Sequence, residues 1–157
     1  MAEKPNPLAA GTEAPDFTAT TFDGTEVSLS ALRGQKVALY FYPKDATPGC
    51  TKQACNLRDN HELLAEHGIA VIGVSPDDDE SHERFSGKQN LNFPLVADPE
   101  RSIIDAYGVW GEKQNYGKTY DGLARTTFLI DPEGTIHHVF KRPKTADHAA
   151  EILSRMP

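Results

Sequence analysis

Cysteine is scarce in this chain of 157 residues, which holds only Cys50 and Cys55. A secreted scaffold framed by disulfides needs more, so that class is excluded. Long apolar runs are missing as well, and none approaches the ~18 residues of a membrane-spanning helix. Met1 to Thr12 lacks the apolar core of a secretory signal and the arginines of a transit peptide, which points to a cytoplasmic protein. Positive charge is in deficit: 16 Lys and Arg stand against 23 Asp and Glu, a formal charge of -7. With no basic stretch to offset it, that balance opposes binding to nucleic acid or an anionic membrane.

Several familiar motifs are absent too. Gly111 to Thr119 imitates a phosphate loop but has five residues between its glycines where four are needed, and no apolar strand leads into it. His61-Glu62 with His67 misses the zinc-protease spacing. His137 and His138 are strand neighbours that face opposite ways, so no metal site is expected. The acidic run Asp77 to Glu80 lacks the alternating ligands and glycine of a calcium loop and reads as a solvated helix start. Ser30, Ser75 and Ser81 have no glycine-flanked nucleophile elbow.

What is present describes one soluble domain spanning 1–157, with 38% hydrophobic and 25% charged residues. Residues 1–13 read as a flexible arm. Phe17–Phe22 and Thr25–Leu29 flank Asp23-Gly24, a hairpin signal. Val37–Tyr42 and Ile69–Val74 are unbroken apolar runs, suited to strands buried on both faces. A helix predicted from Pro48 to His67 joins them, which makes a right-handed parallel crossover. Further on come a helix over Asp79–Gln89 that buries little beyond Phe85, a short strand Phe93–Ala97 and a short helix Arg101–Tyr107. Gly108–Gly122 reads as a loop or irregular hairpin whose Trp110, Tyr116 and Tyr120 either wall a pocket or cover the edge of the core. Thr126–Ile130 and Thr135–Phe140 form a hairpin about Asp131-Pro132-Glu133-Gly134. An amphipathic helix, Thr145–Met156, turns Ala149, Ile152 and Leu153 inward. The pattern is an α/β fold whose central mixed β-sheet is flanked by helices and preceded by an N-terminal β-hairpin.

Both cysteines fall between the two apolar runs. Thr47 is a suitable N-cap and Pro48 a suitable first helical residue, so Cys50 lies in the first turn. Free backbone N–H groups and the positive end of the helix dipole favour a thiolate there. The bland alternative is a small core residue, because Cys50, Ala54, Leu57 and Leu64 share a stripe. Cys55 lies toward Arg58, Asp59 and Glu62 instead. In an ideal helix the two Cα atoms are roughly 8–9 Å apart, beyond the ~7 Å reach of a disulfide. Their bonding therefore requires part of the helix to unwind. Gly49 makes that easier.

The string Pro43-Lys44-Asp45-Ala46-Thr47-Pro48-Gly49-Cys50-Thr51, with Cys55 beyond it, resembles the active site of the peroxiredoxins, in their bacterioferritin-comigratory-protein or peroxiredoxin Q branch. The resemblance runs from Ala14-Pro15-Asp16-Phe17 to the C-terminal helix. It implies a thioredoxin-like fold and reduction of hydrogen peroxide and organic hydroperoxides without an organic cofactor. It also implies the roles: Cys50 as the peroxidatic cysteine, Cys55 as the resolving cysteine, Thr47 as a hydrogen-bonding relay to the peroxide, Pro43 as a shield against water, and Arg125 as a cation at the start of a later strand. The recycling partner it implies is thioredoxin. An intrachain resolving thiol needs no partner subunit, so a monomer is expected. A redox sensor that only switches is the rival reading. The absence of Cys-x-x-Cys and Cys-x-x-x-Cys counts against a disulfide exchanger or copper-binding protein.

Overall fold

The structure is a computed structural model and describes residues 4–115 and 117–156. Strands β1 (Thr18–Thr20) and β2 (Glu26–Ser28) form an antiparallel hairpin. Its turn uses Gly24 at φ 85, a left-handed conformation that glycine adopts without strain. Next come β3 (Lys36–Phe41), α1 (Pro48–Asp59), α2 (His61–Glu66), β4 (Ile69–Ser75), α3 (Asp79–Gln89), β5 (Leu95–Ala97) and α4 (Ser102–Ala106). A second hairpin, β6 (Trp110–Asn115) and β7 (Lys118–Leu123), precedes β8 (Thr126–Ile130), β9 (Ile136–Phe140) and α5 (His148–Arg155).

The central sheet has the order β5-β4-β3-β8-β9. Strands β5, β4 and β3 are parallel, β8 pairs antiparallel with β3, and β9 pairs antiparallel with β8. This is the mixed sheet of a thioredoxin-like fold. Strand β3 shows why its sequence carries no polar alternation. Val37, Leu39 and Phe41 enter a core with Tyr107, Val109 and Phe128, whereas Ala38 and Tyr40 enter a second core with Ala54, Leu57 and Phe85. A strand covered on both faces has no side left for polar residues. Gly73 is paired with Tyr40, and a Cβ there would lie 2.9 Å from the Tyr40 ring and from Leu95, so the missing side chain makes room for the aromatic.

Four expectations change. The helix predicted over Pro48–His67 is divided at Asn60, whose φ is -108 and ψ is 10. The Asn60 amide donates 2.8 Å to the Asn56 carbonyl and its backbone N–H also reaches Asn56, so a local side-chain bond competes with the helix ladder. The arm predicted to be flexible is docked over its described part. Asn6 and Leu8 N–H groups bond to the Gly108 and Tyr107 carbonyls, and Glu13 bridges Thr135. The stretch from Gly108 to Gly122, expected as a loop or irregular hairpin, forms the regular hairpin β6–β7. Of its aromatics, Trp110 packs against the first core with the Arg101 guanidinium 4.4 Å above its ring, so it covers the core edge. Tyr120 is exposed, and Tyr116 lies outside the described residues.

The C-terminal helix starts at His148, later than its pattern suggests. Asn56 supplies the missing cap from α1: its Oδ1 accepts from Ala149 N–H at 2.7 Å, and its Nδ2 donates to the Ala146 carbonyl at 3.2 Å.

Candidate active site

The loop from Pro43 to Thr47 leaves the carboxyl end of β3 and delivers the chain to α1. Open α/β sheets place their sites at that end of a parallel strand. Ala46 takes φ 64 without being glycine, a local cost of about 1–2 kcal/mol. A dense set of bonds to Asp45 holds the turn in place. Asp45 accepts from Tyr42 Oη at 2.6 Å, from Ser81 Oγ at 2.8 Å and from His82 Nδ1 at 2.7 Å. Its own N–H donates to Asp77 Oδ2 at 2.8 Å, and Ser75 Oγ donates to the same oxygen. Burial alone pushes the Asp45 carboxyl up, yet the bonds from His82 and Tyr42 outweigh it and hold it below the usual carboxylate range. His82 Nε2 faces the Val96 carbonyl at 3.2 Å, so both ring nitrogens are engaged by oxygen atoms and the ring is fixed in place.

Asp45, Asp77 and His82 are the one group of metal-capable side chains among the described residues. Their atoms are spent on each other and on Ser75, Ser81 and Tyr42. A contact of 2.7 Å between two would-be ligand atoms is a hydrogen bond, with no room for an ion between them.

Cys50 is the third residue of α1 and is 1% exposed. Its Sγ receives a hydrogen bond from Arg125 Nη2 at 3.2 Å, and Arg125 Nη1 donates to Gln53 Oε1 at 2.6 Å. Gln53 stands one helical turn beyond Cys50 and fixes the guanidinium against the sulfur. Gly49 belongs to the same arrangement, since a Cβ there would lie 3.2 Å from Arg125 Nη2. Two buried polar atoms near this cluster have no partner among the described residues, Gln53 Nε2 and Tyr40 Oη. Burial, and then the neighbouring Cys50 and Asp45, raise the Tyr40 phenol well above its usual value, so it stays protonated.

Thr47 is the N-cap residue of α1, but its side chain makes no cap bond. Its hydroxyl donates to the Lys44 carbonyl at 2.8 Å, which leaves its lone pairs free to accept. Pro43 is half-buried at the start of the loop. Cys55, also reduced, faces another way: its Sγ donates to Gln89 Oε1 on α3 at 3.4 Å. The structure thus brings Cys50 and Arg125 together, with Thr47 on the same helix end, and sets Cys55 apart. Sequence reasoning missed Gln53, Asp45, His82 and Gln89. Gln53 could have been found from its spacing after Cys50, and His82 from its place on the Phe85 face of α3. Asp45 stands within the motif string without a role of its own there, and Gln89 carries no such signal.

A buried thiol under a guanidinium, at the mouth of a thioredoxin-like sheet, belongs to enzymes that work through cysteine sulfur. The model described as the AhpC/TSA family matches residues 10–139. Peroxiredoxin Bcp of Escherichia coli is 49% identical over 149 residues, covering 95% of this chain and 96% of that protein. Among solved structures, Xanthomonas campestris peroxiredoxin Q is 37% identical with a TM-score of 0.84, over 92% of this chain and 94% of that one. Another structure, of the Xanthomonas campestris bacterioferritin comigratory protein and described for its alkyl peroxide reduction activity, is also 37% identical with a TM-score of 0.84, over 92% and 95%. The chain belongs to the AhpC/TSA family, among the peroxiredoxins of the Bcp and peroxiredoxin Q type, and is a thiol-dependent peroxidase.

Proposed function

We propose that this peroxidase reduces hydrogen peroxide and organic hydroperoxides at Cys50, resolves the product through Cys55 within the same chain, and is recycled by thioredoxin in the cytoplasm as a single-domain monomer. The Cys50–Arg125 contact carries the reading. The Cys50 thiolate attacks the terminal oxygen of the hydroperoxide. A sulfur–oxygen bond forms and the O–O bond breaks; sulfur loses two electrons and the alkoxide or hydroxide leaves with them, taking up a proton as alcohol or water. Charge develops on the leaving oxygen. The Arg125 guanidinium and the first-turn N–H groups of α1 are the donors available to it. The Thr47 hydroxyl gives its own proton to Lys44, so it accepts the hydroperoxide O–H and orients it. Pro43 limits water at the loop. The alkyl peroxide activity of the Xanthomonas relative supports the organic substrates.

The product is a Cys50 sulfenic acid. Cys55 sulfur then attacks the Cys50 sulfur, the S–O bond breaks, and the hydroxyl departs with the Cys55 proton as water. A dithiol returns both thiols by exchange. The test is the intact mass and thiol titre of reduced protein after one equivalent of hydrogen peroxide. Loss of two hydrogens and both thiols from a monomeric chain is expected, followed by multiple turnovers with thioredoxin. Cys50→Ser should abolish turnover. Cys55→Ser should react once and recycle poorly. Surviving thiols in wild type would refute the assignment.

A further inference from the structure

Cys55 is held by one residue of another element. Gln89 closes α3, where a helix leaves carbonyl oxygens without intrahelical partners. Its side-chain Oε1 accepts the Cys55 thiol hydrogen at 3.4 Å. Its backbone carbonyl accepts from Arg58 Nη1 at 2.6 Å, a cation placed where the helix dipole is negative. Three residues further on, Asn92 Nδ2 donates to the Arg58 carbonyl at 3.2 Å. The last turns of α1, which carry the resolving thiol, are therefore tied at three points to the end of α3 and the residues just after it. Arg58 is itself fixed by Asp59, Nη2 to Oδ1 at 2.8 Å, and lies against the Cys55 sulfur.

None of these bonds touches Cys50, Arg125 or Gln53, and none is used in the attack on peroxide. All of them oppose the next step. Cys55 reaches Cys50 only if α1 unwinds and the Cys55 sulfur leaves Gln89. We propose that Gln89 is a positioning residue for Cys55, a latch that keeps the resolving thiol on α3 and sets the rate at which the Cys50 sulfenic acid is converted to the disulfide. The inference rests on Cys55 being the resolving cysteine. While the latch is closed the sulfenic acid persists, and a second peroxide can oxidise it to sulfinic acid: a further S–O bond forms, the peroxide O–O bond breaks, and water or alcohol leaves. Gln89 thereby fixes the peroxide level at which the enzyme inactivates itself.

The test follows mass by rapid quench after reduced protein meets hydrogen peroxide, in wild type, Gln89→Ala, Gln89→Glu and Asn92→Ala. Appearance of the sulfenic acid reports the attack on peroxide and should stay within about twofold of wild type in all four. Disulfide formation should accelerate roughly three- to tenfold in Gln89→Ala, the size of one net hydrogen bond, and in the same direction in Asn92→Ala. It should slow in Gln89→Glu, whose carboxylate accepts from the thiol and pairs with Arg58. The peroxide dose giving half-maximal sulfinic acid should rise in the alanine variants and fall in the glutamate variant. A side chain that merely supports the fold would shift melting in all three without this opposite pair of effects. Wild-type disulfide rates in both Gln89 variants overturn the latch while leaving Cys55 as the resolving residue. Failure of wild type to lose two hydrogens overturns Cys55 as the resolving residue, and the latch with it.

Discussion

Arg125 Nη2 and Cys50 Sγ lie 3.2 Å apart across 75 positions of sequence. The first is a residue that enters β8 and the second stands in the first turn of α1, and antiparallel pairing of β8 with β3 brings them together. Removing the guanidinium by Arg125→Ala should lower the second-order rate with hydrogen peroxide by about a hundredfold, typical for loss of one preorganised donor. Stopped-flow consumption of peroxide under single-turnover conditions measures it. Arg125→Lys should recover little, because an ammonium cannot contact Cys50 and Gln53 with the geometry of a planar fork.

Gln53 acts through Arg125. Gln53→Leu keeps the volume and removes the acceptor at 2.6 Å, which frees the guanidinium to leave the sulfur. The peroxide rate should fall roughly tenfold, about one charge-assisted hydrogen bond. Combined with Arg125→Ala, Gln53→Leu should add almost nothing, since the two side chains form one unit. Additive losses would show that Gln53 acts by another route.

Asp45 and His82 form a pair whose side chains are 3% and 0% exposed. Asp45→Ala leaves the imidazole buried without its partner and should destabilise the fold by about 3–5 kcal/mol, measured by urea unfolding. The peroxide rate should fall as well, because the Pro43–Thr47 loop loses its anchor. The folded-state pKa of Asp45 is depressed, so its contribution is present above the unfolded value of about 3.9 and is lost as pH falls through the folded one. Wild type should therefore lose stability more steeply than the variant in that acidic window.

His148 titrates at a milder pH. Burial lowers its imidazole below the ordinary 6.5, against a smaller opposing pull from Glu151. The neutral ring fits its surroundings: Nδ1–H donates to Glu151 Oε1 at 2.9 Å, and Nε2 accepts from the Thr127 hydroxyl at 2.8 Å. The unfolded chain takes up a proton below about pH 6.5 where the folded chain does not, so stability is lost as pH falls from 7 toward the folded value. His148→Gln should flatten the dependence of melting temperature on pH in this range. A residual slope should remain from His138, which burial also lowers.

Local signals that do not need the rest of the chain were legible in the sequence. The apolar runs at Val37 and Ile69 announced strands covered on both faces, the Asp79–Gln89 helix was bounded by its acidic start, and Thr47-Pro48 placed Cys50 in a first turn. The break at Asn60 escaped notice because one asparagine side chain decides it. Arg125 was assigned by resemblance, since an arginine before a strand has no local mark.

By itself the sequence determined most of the element types, the mixed sheet and the place of Cys50 in a first helical turn, because periodicity, capping and a spaced motif act within a few residues of each other. Tertiary structure decided what surrounds that thiol. Gln53 holds Arg125, Asp45 is locked by His82 from α3, and Cys55 is turned toward Gln89. Each of these depends on which helix packs over which strand and at what register, and side chains distant in the chain meet only after the sheet has formed.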